Sequence, residues 1–314
     1  MNNRCLYCYE PLDGKGDFHP KCSVEFFGTK AVPVIPYSID QMADLAKAVV
    51  ESSVTVPGVQ AKLSMSLVKD TQRAGASRLT VVGALGGNYI FKPPSDFYPE
   101  MPQNEHLTMR IAEAYNINVV PSGLIRLKSG ELSYITRRVD RSRDRTKIHM
   151  IDMFQITGAF DKYKSSMEKI GRALHEYSAN TLLDKLFLFE LVLFSFLIGN
   201  NDMHLKNFSM IKSSSGWILA PAYDLLNVSI LLPEDREELA LTMEGKKRKL
   251  GKDHFVKFGK GLDLRDKQID GAFDRMIRSK SLAAAWIEKS FLSDKMKRAY
   301  SETLGSRYRQ LGLR

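Results

Sequence analysis

The strongest constraint on the fold is an apolar segment, Leu186–Ile198, that leads into a polar loop at residues 199–207. Only Glu190 and Ser195 interrupt the apolar run. A segment that is apolar on nearly every side is typical of a helix buried in a protein core, and this one is too short to span a membrane. The chain has 314 residues, of which 44% are hydrophobic, so it is long enough to bury such a helix.

The loop after this segment places an acid and an amide five positions apart, at Asp202 and Asn207. This is the spacing of the protein-kinase catalytic loop, in which the Asp accepts the proton of the attacking hydroxyl and the Asn binds Mg²⁺. A second acid, Asp224, follows two strand-like segments, Phe208–Ile211 and Trp217–Ala220. An isolated Asp or Asn in a loop is more often a turn residue, so the order of all three residues carries the prediction of a phosphoryl-transfer site.

The upstream half offers candidates for a turn over the phosphates, a strand Lys and a helix Glu, which hold the nucleotide in such enzymes. Two strand-like segments flank Pro57-Gly58 within residues 53–67. Lys92 ends a strand, and Glu105 opens an amphipathic helix that runs to about Tyr115, from which it can point towards Lys92. The alternatives are that residues 53–67 form an ordinary hairpin, that Lys92 faces solvent, and that Glu105 only interacts with the helix dipole.

Together these motifs make the chain resemble the HipA-like toxin kinases, the catalytic half of bacterial toxin–antitoxin systems. The resemblance spans residues 53–226 and rests on seven segments: Val56–Leu63, Tyr89–Pro93, Asn104-Glu105, Ile135–Arg141, Asp152–Gln155, Gly199–Asn207 and Pro221–Leu225. It implies an α+β, two-lobed, protein-kinase-like fold with a small β-rich N-lobe and a mostly helical C-lobe. We expect a Cys/His segment at 1–30, the N-lobe at 31–136 and the C-lobe at 137–314.

The resemblance also implies roles for individual residues. Asp202 matches the catalytic base, and Asn207 and Asp224 match the Mg²⁺ ligands. Lys206 and His204 are further candidates in the same loop; Lys206 would neutralise charge on the γ-phosphate. The residues expected to bind the nucleotide are Lys92, Glu105, Gly58, Val59 and Gln60.

The function implied by the resemblance is Mg-ATP-dependent phosphorylation of a protein Ser or Thr, with an aminoacyl-tRNA synthetase as the expected kind of substrate. The implied partner is an antitoxin, often a helix-turn-helix DNA-binding protein. A lipid or small-molecule kinase remains an alternative, although no membrane-docking segment is evident. The other alternative is an inactive pseudokinase or nucleic-acid-associated regulator, against which the presence of all four residues Lys92, Asp202, Asn207 and Asp224 speaks.

Two features depart from the family pattern. Full-length family members carry a separate N-terminal subdomain before the phosphate loop, whereas only about 50 residues precede it here. The chain therefore resembles the short HipT-type kinases, in which a small separate protein supplies the missing subdomain and acts as an antitoxin. The family autophosphorylates a loop serine three residues before the glycine; that position is Thr55 here, with Ser53 two residues before it.

All three cysteines lie within the first 22 residues, in the order Cys5, Cys8, His19, Cys22. Two short-spaced ligand pairs separated by a loop suit a structural, four-coordinate Zn²⁺. The start of the chain has no apolar signal segment, so we expect a reducing, cytoplasmic context that disfavours disulfides. The alternative is that these cysteines pack as small hydrophobic side chains.

The net charge of +10 favours anionic partners. Two clusters of basic residues stand out, Arg137–Lys147 and Lys246–Lys249. Neither cluster interleaves aromatic residues as a base-stacking surface would, so we interpret both as solvated surface. Any attraction to tRNA or DNA is then expected to act through the substrate or the antitoxin complex.

Overall fold

A computed structural model describes residues 3–42, 44–45, 62–69, 77–82, 86–142 and 144–313. The chain forms two compact units. The first comprises Met1–His106 and Val120–Arg141, and the second comprises Leu107–Val119 and Ser142–Arg314. Antiparallel sheets and helices are combined in the α+β class that the sequence predicts, while the three-part division at residues 30 and 136 stays a prediction.

The first unit contains a five-stranded antiparallel sheet with the strand order β2-β1-β3-β5-β4. Its strands are β1 (Leu63–Lys69), β2 (Ser77–Val82), β3 (Tyr89–Lys92), β4 (Ser122–Arg126) and β5 (Leu132–Arg137). In β1, which lies in a segment predicted to be strand-like, Leu63 and Met65 are buried and Leu67 is half-buried. Its serines, Ser64 and Ser66, alternate with them and are half-buried as well.

The N-terminal Cys/His segment packs within this first unit. Its helix α1 (Pro20–Phe27) ends at Gly28, which adopts a left-handed φ of 76°. The carbonyl of Phe26 accepts a hydrogen bond of 2.8 Å from Nε of Arg137, and the ring of Phe26 lies 5.6 Å from that of Tyr7. The guanidinium of Arg137 therefore binds a backbone carbonyl within the first unit. For this residue, the prediction that its cluster is solvated surface is wrong.

Helix α2 (Met101–Ala114) begins four residues before the predicted start at Glu105. Pro102 lies in its first turn, where the missing N–H of a proline costs no helical hydrogen bond. The helix is amphipathic as predicted, and Leu107 and Ile111 on its apolar side are fully buried. Glu105 is thus the fifth helical residue, and it lies beyond the first turn in which a carboxylate interacts best with the helix dipole.

The second unit is mostly helical. Its helices are α3 (Met153–Ile156), α4 (Met167–Tyr177), α5 (Thr181–Leu197), α6 (Lys252–Gly261), α7 (Asp266–Glu288) and α8 (Asp294–Gln310). A small antiparallel sheet, in the order β6-β7-β8, is formed by β6 (Met150–Asp152), β7 (Ser209–Ser213) and β8 (Gly216–Leu219). Two short 3₁₀ turns cover Leu205–Asn207 and Val228–Ile230.

Helix α5 is the buried helix that the apolar segment predicts. Its aromatic side chains pack against other helices of the second unit, with Phe189 against Phe258 at 6.2 Å and Phe196 against Phe255 at 5.2 Å between ring centroids. Glu190, the one acidic residue of the apolar run Leu186–Ile198, accepts a hydrogen bond from Arg275 of α7. The charge of Glu190 is therefore compensated where the helix is otherwise apolar.

The predicted hairpin is also present, with β7 and β8 joined by the turn between Ser213 and Gly216. Helix α5 anchors it, because Oδ2 of Asp184 accepts a hydrogen bond of 2.7 Å from the backbone N–H of Leu219 in β8. Of the described helices, none has both the length and the apolar character that crossing a bilayer requires.

Candidate active site

The first unit contains a buried ion pair between Lys92, the last residue of β3, and Glu105 of α2. Nζ of Lys92 lies 2.6 Å from Oε1 of Glu105, and the two side chains are only 6% and 1% exposed. Nζ also lies 5.4 Å from the centroid of the Tyr134 ring. The alternative of a solvent-facing lysine is therefore wrong. Burying two charges is costly and contributes little net stability, so stability alone does not account for this pair.

In the second unit, Gly199 turns the chain from α5 into the loop that carries the candidate base. Its φ is 74°, in the left-handed region that favours glycine. A Cβ atom at this position would lie 2.8 Å from Oδ1 of Asn227 and 2.8 Å from Cγ2 of Thr303. The loop can therefore start in this direction only because residue 199 has no side chain.

The loop fixes Asp202 and Asn207 relative to each other. Nδ2 of Asn207 donates a hydrogen bond of 3.0 Å to the backbone carbonyl of Asp202. The backbone N–H of Asp202 in turn donates to Oδ1 of Asn200, at 3.3 Å. Asn207 is buried and Asp202 is half-buried. Because Asn207 uses its amide nitrogen to hold the loop, its amide oxygen is the atom that can bind a metal ion.

Asp224, the second candidate metal ligand, has a φ of 61°. An Asp tolerates this left-handed conformation better than most residues, yet such strain is concentrated at functional sites. The adjacent residue ties this segment to the loop, since the hydroxyl of Tyr223 donates a hydrogen bond of 3.0 Å to the backbone carbonyl of Lys206. Burial, followed by the negative charges of Asp224 and Asp152, raises the pKa of Tyr223.

Tyr163 is a residue of this site that the sequence does not reveal. Its hydroxyl donates a hydrogen bond of 2.8 Å to Oδ1 of Asp202. Burial and then the charge of Asp202 raise the pKa of Tyr163, with smaller contributions from Asp161 and Asp224. The negative charges of Asp202, the candidate base, and Asp224, the candidate metal ligand, thus both raise the pKa of the same phenol.

The two further loop candidates differ in their surroundings. His204 is buried, and its ring lies edge-on to that of Tyr163 at 5.0 Å. Lys206 is exposed, with Nζ 4.9 Å from the ring centroid of Phe154. Burial against an aromatic ring suits a structural role for His204, whereas Lys206 can reach a ligand. The predicted phosphate-loop residues lie outside the described residues: Ser53, Thr55, Gly58, Val59 and Gln60.

The first unit also assembles the Cys/His cluster. The ligand atoms of Cys5, Cys8, His19 and Cys22 all lie within 4.8 Å of one another. Sγ of Cys8 and Sγ of Cys22 lie 3.3 and 3.8 Å from Nδ1 of His19. Tetrahedral Zn²⁺, with its Zn–S and Zn–N bond lengths of about 2.3 and 2.1 Å, needs ligand atoms roughly 3.5–3.8 Å apart. The cluster therefore fits zinc.

The surroundings of the cluster support the same chemistry. Nε2 of His19 lies 2.9 Å from the carbonyl of Pro11, the kind of contact that orients a metal-binding imidazole. Burial, together with the neighbouring Cys5, raises the pKa of the Cys8 and Cys22 thiols. A divalent cation would reverse this effect, because it stabilises the thiolate form.

Solved structures of other proteins share this fold. The HipA chain in the Shewanella oneidensis HipA, HipB and operator DNA complex matches with a TM-score of 0.68 at 22% identity, over 82% of this chain and 65% of that chain. The Helicobacter pylori proinflammatory kinase CtkA matches with a TM-score of 0.54 at 13% identity, over 79% of this chain and 93% of that chain. The two-lobed, kinase-like fold predicted from the sequence is thereby confirmed.

Sequence comparison leads to the same group of proteins. A Haemophilus influenzae protein described provisionally as a kinase is 29% identical over 261 residues, which are 74% of this chain and 74% of that protein. The S. oneidensis serine/threonine-protein kinase toxin HipA is 26% identical over 211 residues, which are 60% of this chain and 46% of the toxin. Residues 54–286 match the HipA-like C-terminal domain. The chain therefore belongs to the HipA-like C-terminal domain family.

Proposed function

We propose that this chain is a Mg-ATP-dependent kinase that phosphorylates a Ser or Thr of another protein and acts as the toxin of a bacterial toxin–antitoxin system. The observation that carries the proposal is the hydrogen bond from Asn207 to the carbonyl of Asp202. That bond holds a half-buried carboxylate and a metal-binding amide on one short loop, in the order that phosphoryl transfer requires. The strained Asp224 and the buried Lys92–Glu105 pair support it.

Each residue has a distinct role in the proposed reaction. Asp202 accepts the proton of the acceptor hydroxyl while that oxygen attacks the γ-phosphorus and ADP leaves. Lys92, held by Glu105, binds the phosphates of ATP. Asn207 and Asp224 offer the oxygen ligands that Mg²⁺ prefers, and a bound Mg²⁺ would neutralise charge on the phosphates. Gly58, Val59 and Gln60, which lie outside the described residues, are proposed from the sequence to bind the phosphates.

The alternative functions explain these features less well. A pseudokinase has no chemical need for a buried lysine–glutamate pair together with an ordered Asp202–Asn207 loop. A regulator that binds nucleic acid through residues 137–147 would need their charges at the surface. Arg138 and Arg141 instead form ion pairs of 2.8 and 2.7 Å with Asp140.

The proposed partners follow from the family relationship. The S. oneidensis HipA was solved with HipB and operator DNA, which supports a DNA-binding antitoxin for this chain as well. The helix-turn-helix type of that antitoxin is proposed from the family resemblance alone. A small separate protein that acts as an antitoxin is a further proposed partner. The proposed substrate is a translation component, an aminoacyl-tRNA synthetase being the main candidate.

The direct test is incubation of the purified chain with labelled Mg-ATP and a cell lysate, followed by identification of the labelled protein. Transfer to Ser or Thr of a single protein supports the proposal. Transfer to a lipid or a small metabolite would favour the alternative kinase function. Neither transfer nor autophosphorylation would favour the inactive regulator.

We expect autophosphorylation at Thr55 or Ser53 after incubation with Mg-ATP. The expectation rests on the sequence, since both hydroxyls precede the phosphate-loop glycine, Gly58. A phosphate there adds nearly two negative charges beside an anionic triphosphate, so it should weaken ATP binding and limit further reaction. Mass spectrometry identifies the site, and a Thr55→Asp, Ser53→Asp variant should bind ATP more weakly than the parent. Phosphate found only elsewhere would contradict this expectation.

Cys5, Cys8, His19 and Cys22 are proposed to hold one structural Zn²⁺ that takes no part in the reaction, because four protein ligands leave no open position. We expect about one zinc per chain by elemental analysis. His19→Ala should lose the metal and lower the melting temperature by several degrees. The matched control is His149→Ala, an exposed histidine, which should keep both. Purified protein without zinc, and with a melting temperature that chelation does not change, would rule the site out.

A further inference from the structure

The hydroxyl of Tyr163 occupies the position that an acceptor hydroxyl needs. It lies 2.8 Å from Oδ1 of Asp202. A general base must lie about 2.6–3.2 Å from the hydroxyl whose proton it takes. Tyr163 and an acceptor hydroxyl would therefore compete for the same carboxylate oxygen.

The backbone around Tyr163 is fastened to the loop that carries Asp202. The backbone N–H of Leu205 donates a hydrogen bond of 3.2 Å to the carbonyl of Lys162. The backbone N–H of Tyr163 donates to Oδ1 of Asp161 at 2.9 Å. The first bond ties the segment of Tyr163 to the loop of Asp202, and the second orders the backbone of Tyr163 itself. The position of the Tyr163 side chain next to Asp202 is therefore set by backbone contacts.

The side chain, by contrast, can leave without disturbing the core. Tyr163 is 39% exposed; its ring lies edge-on to that of His204, and Nζ of Lys162 lies 4.9 Å from its centroid. The phenol is a donor at neutral pH, as an ordinary tyrosine is, and burial and the nearby carboxylates raise its pKa further. As a neutral donor it can hold Asp202 in the resting protein and still be exchanged for another hydroxyl at modest cost.

We infer that Tyr163 is a displaceable occupant of the acceptor position, so that a substrate must replace its hydroxyl at Asp202 before phosphoryl transfer. The inference rests on the proposed kinase function, in which Asp202 is the base. It assigns to Tyr163 a role in acceptor selection: an acceptor has to offer both a hydroxyl and enough binding energy to move the phenol aside.

The test compares Tyr163→Phe, which keeps the ring against His204 and removes only the hydroxyl, with the parent. The probes are Mg-ATP hydrolysis, with water as the acceptor, and phosphorylation of casein as a generic Ser/Thr protein. Both rates should rise about three- to tenfold, which corresponds to the net contribution of one hydrogen bond. The KM for ATP should not change. Tyr177→Phe, which removes the hydroxyl of a half-exposed tyrosine at the end of α4, is the control and should match the parent.

The sign of the effect decides the inference. A fall in both rates at an unchanged KM for ATP would mean that Tyr163 orients the base, which overturns displacement. Rates equal to those of the parent would overturn it as well, and so would phosphotyrosine at position 163, which would make Tyr163 an acceptor. If the parent neither hydrolyses ATP nor labels casein or its own chain, the result contradicts the proposed kinase function itself. That outcome is distinct from the ones that overturn only the role of Tyr163.

Discussion

Asp202→Ala is expected to reduce phosphoryl transfer by about 10²–10⁴-fold while Mg-ATP affinity stays close to that of the parent. A general base acts on the acceptor hydroxyl, whereas the nucleotide is proposed to be held by Lys92 and by the metal ligands. The loop should keep its shape in this variant, because Asn207 donates to the backbone carbonyl of residue 202 and not to its side chain. Transfer of labelled phosphate and an ATP titration measure the two effects separately.

Two further variants sharpen this prediction. Asp224→Ala should weaken Mg-ATP binding in addition to lowering transfer, since Asp224 is a proposed metal ligand. Asp270→Ala removes an exposed aspartate of α7 and should behave like the parent. The assignment of Asp202 as the base would be wrong if Asp202→Ala transferred phosphate at the rate of the parent.

The elements that the sequence predicts well are those determined by local pattern. Helix α5 follows from an apolar run that no strand or surface helix would contain, and the hairpin of β7 and β8 follows from two short apolar segments around a Ser/Gly turn. The start of α2 is less accurate. The sequence predicted that the helix opens at Glu105, whereas it begins at Met101 with Pro102 in its first turn.

The parts of the candidate site that sequence reasoning missed depend on tertiary contacts. Tyr163 lies 39 residues before Asp202, and no spacing rule links an aromatic residue in that segment to a later loop. Tyr223 could have been noticed as the neighbour of Asp224, but its bond to the carbonyl of Lys206 requires the folded hairpin. The left-handed φ of Asp224 likewise has no local cause, since the residue is not a glycine.

The Lys92–Glu105 pair, which the order of motifs anticipated, leads to the second large expected effect. Glu105→Gln should lower the free energy of unfolding by about 3–5 kcal/mol, because it leaves a buried ammonium without its carboxylate. It should also weaken ATP binding, since Lys92 is proposed to meet the phosphates in the orientation that Glu105 imposes. Denaturant unfolding and an ATP titration measure the two changes.

Stability and nucleotide binding can be separated with a double variant. Lys92→Met combined with Glu105→Gln removes both charges, so much of the lost stability should return, as it does when buried ion pairs are replaced by neutral groups. ATP binding should not return, because the phosphates have lost their cation. The exposed pair of Lys260 and Asp266 provides the control; Asp266→Asn should change neither quantity much, since exposed ion pairs contribute little. If the double variant bound Mg-ATP as the parent does, the pair would be a structural element of the first unit and another group would have to bind the phosphates.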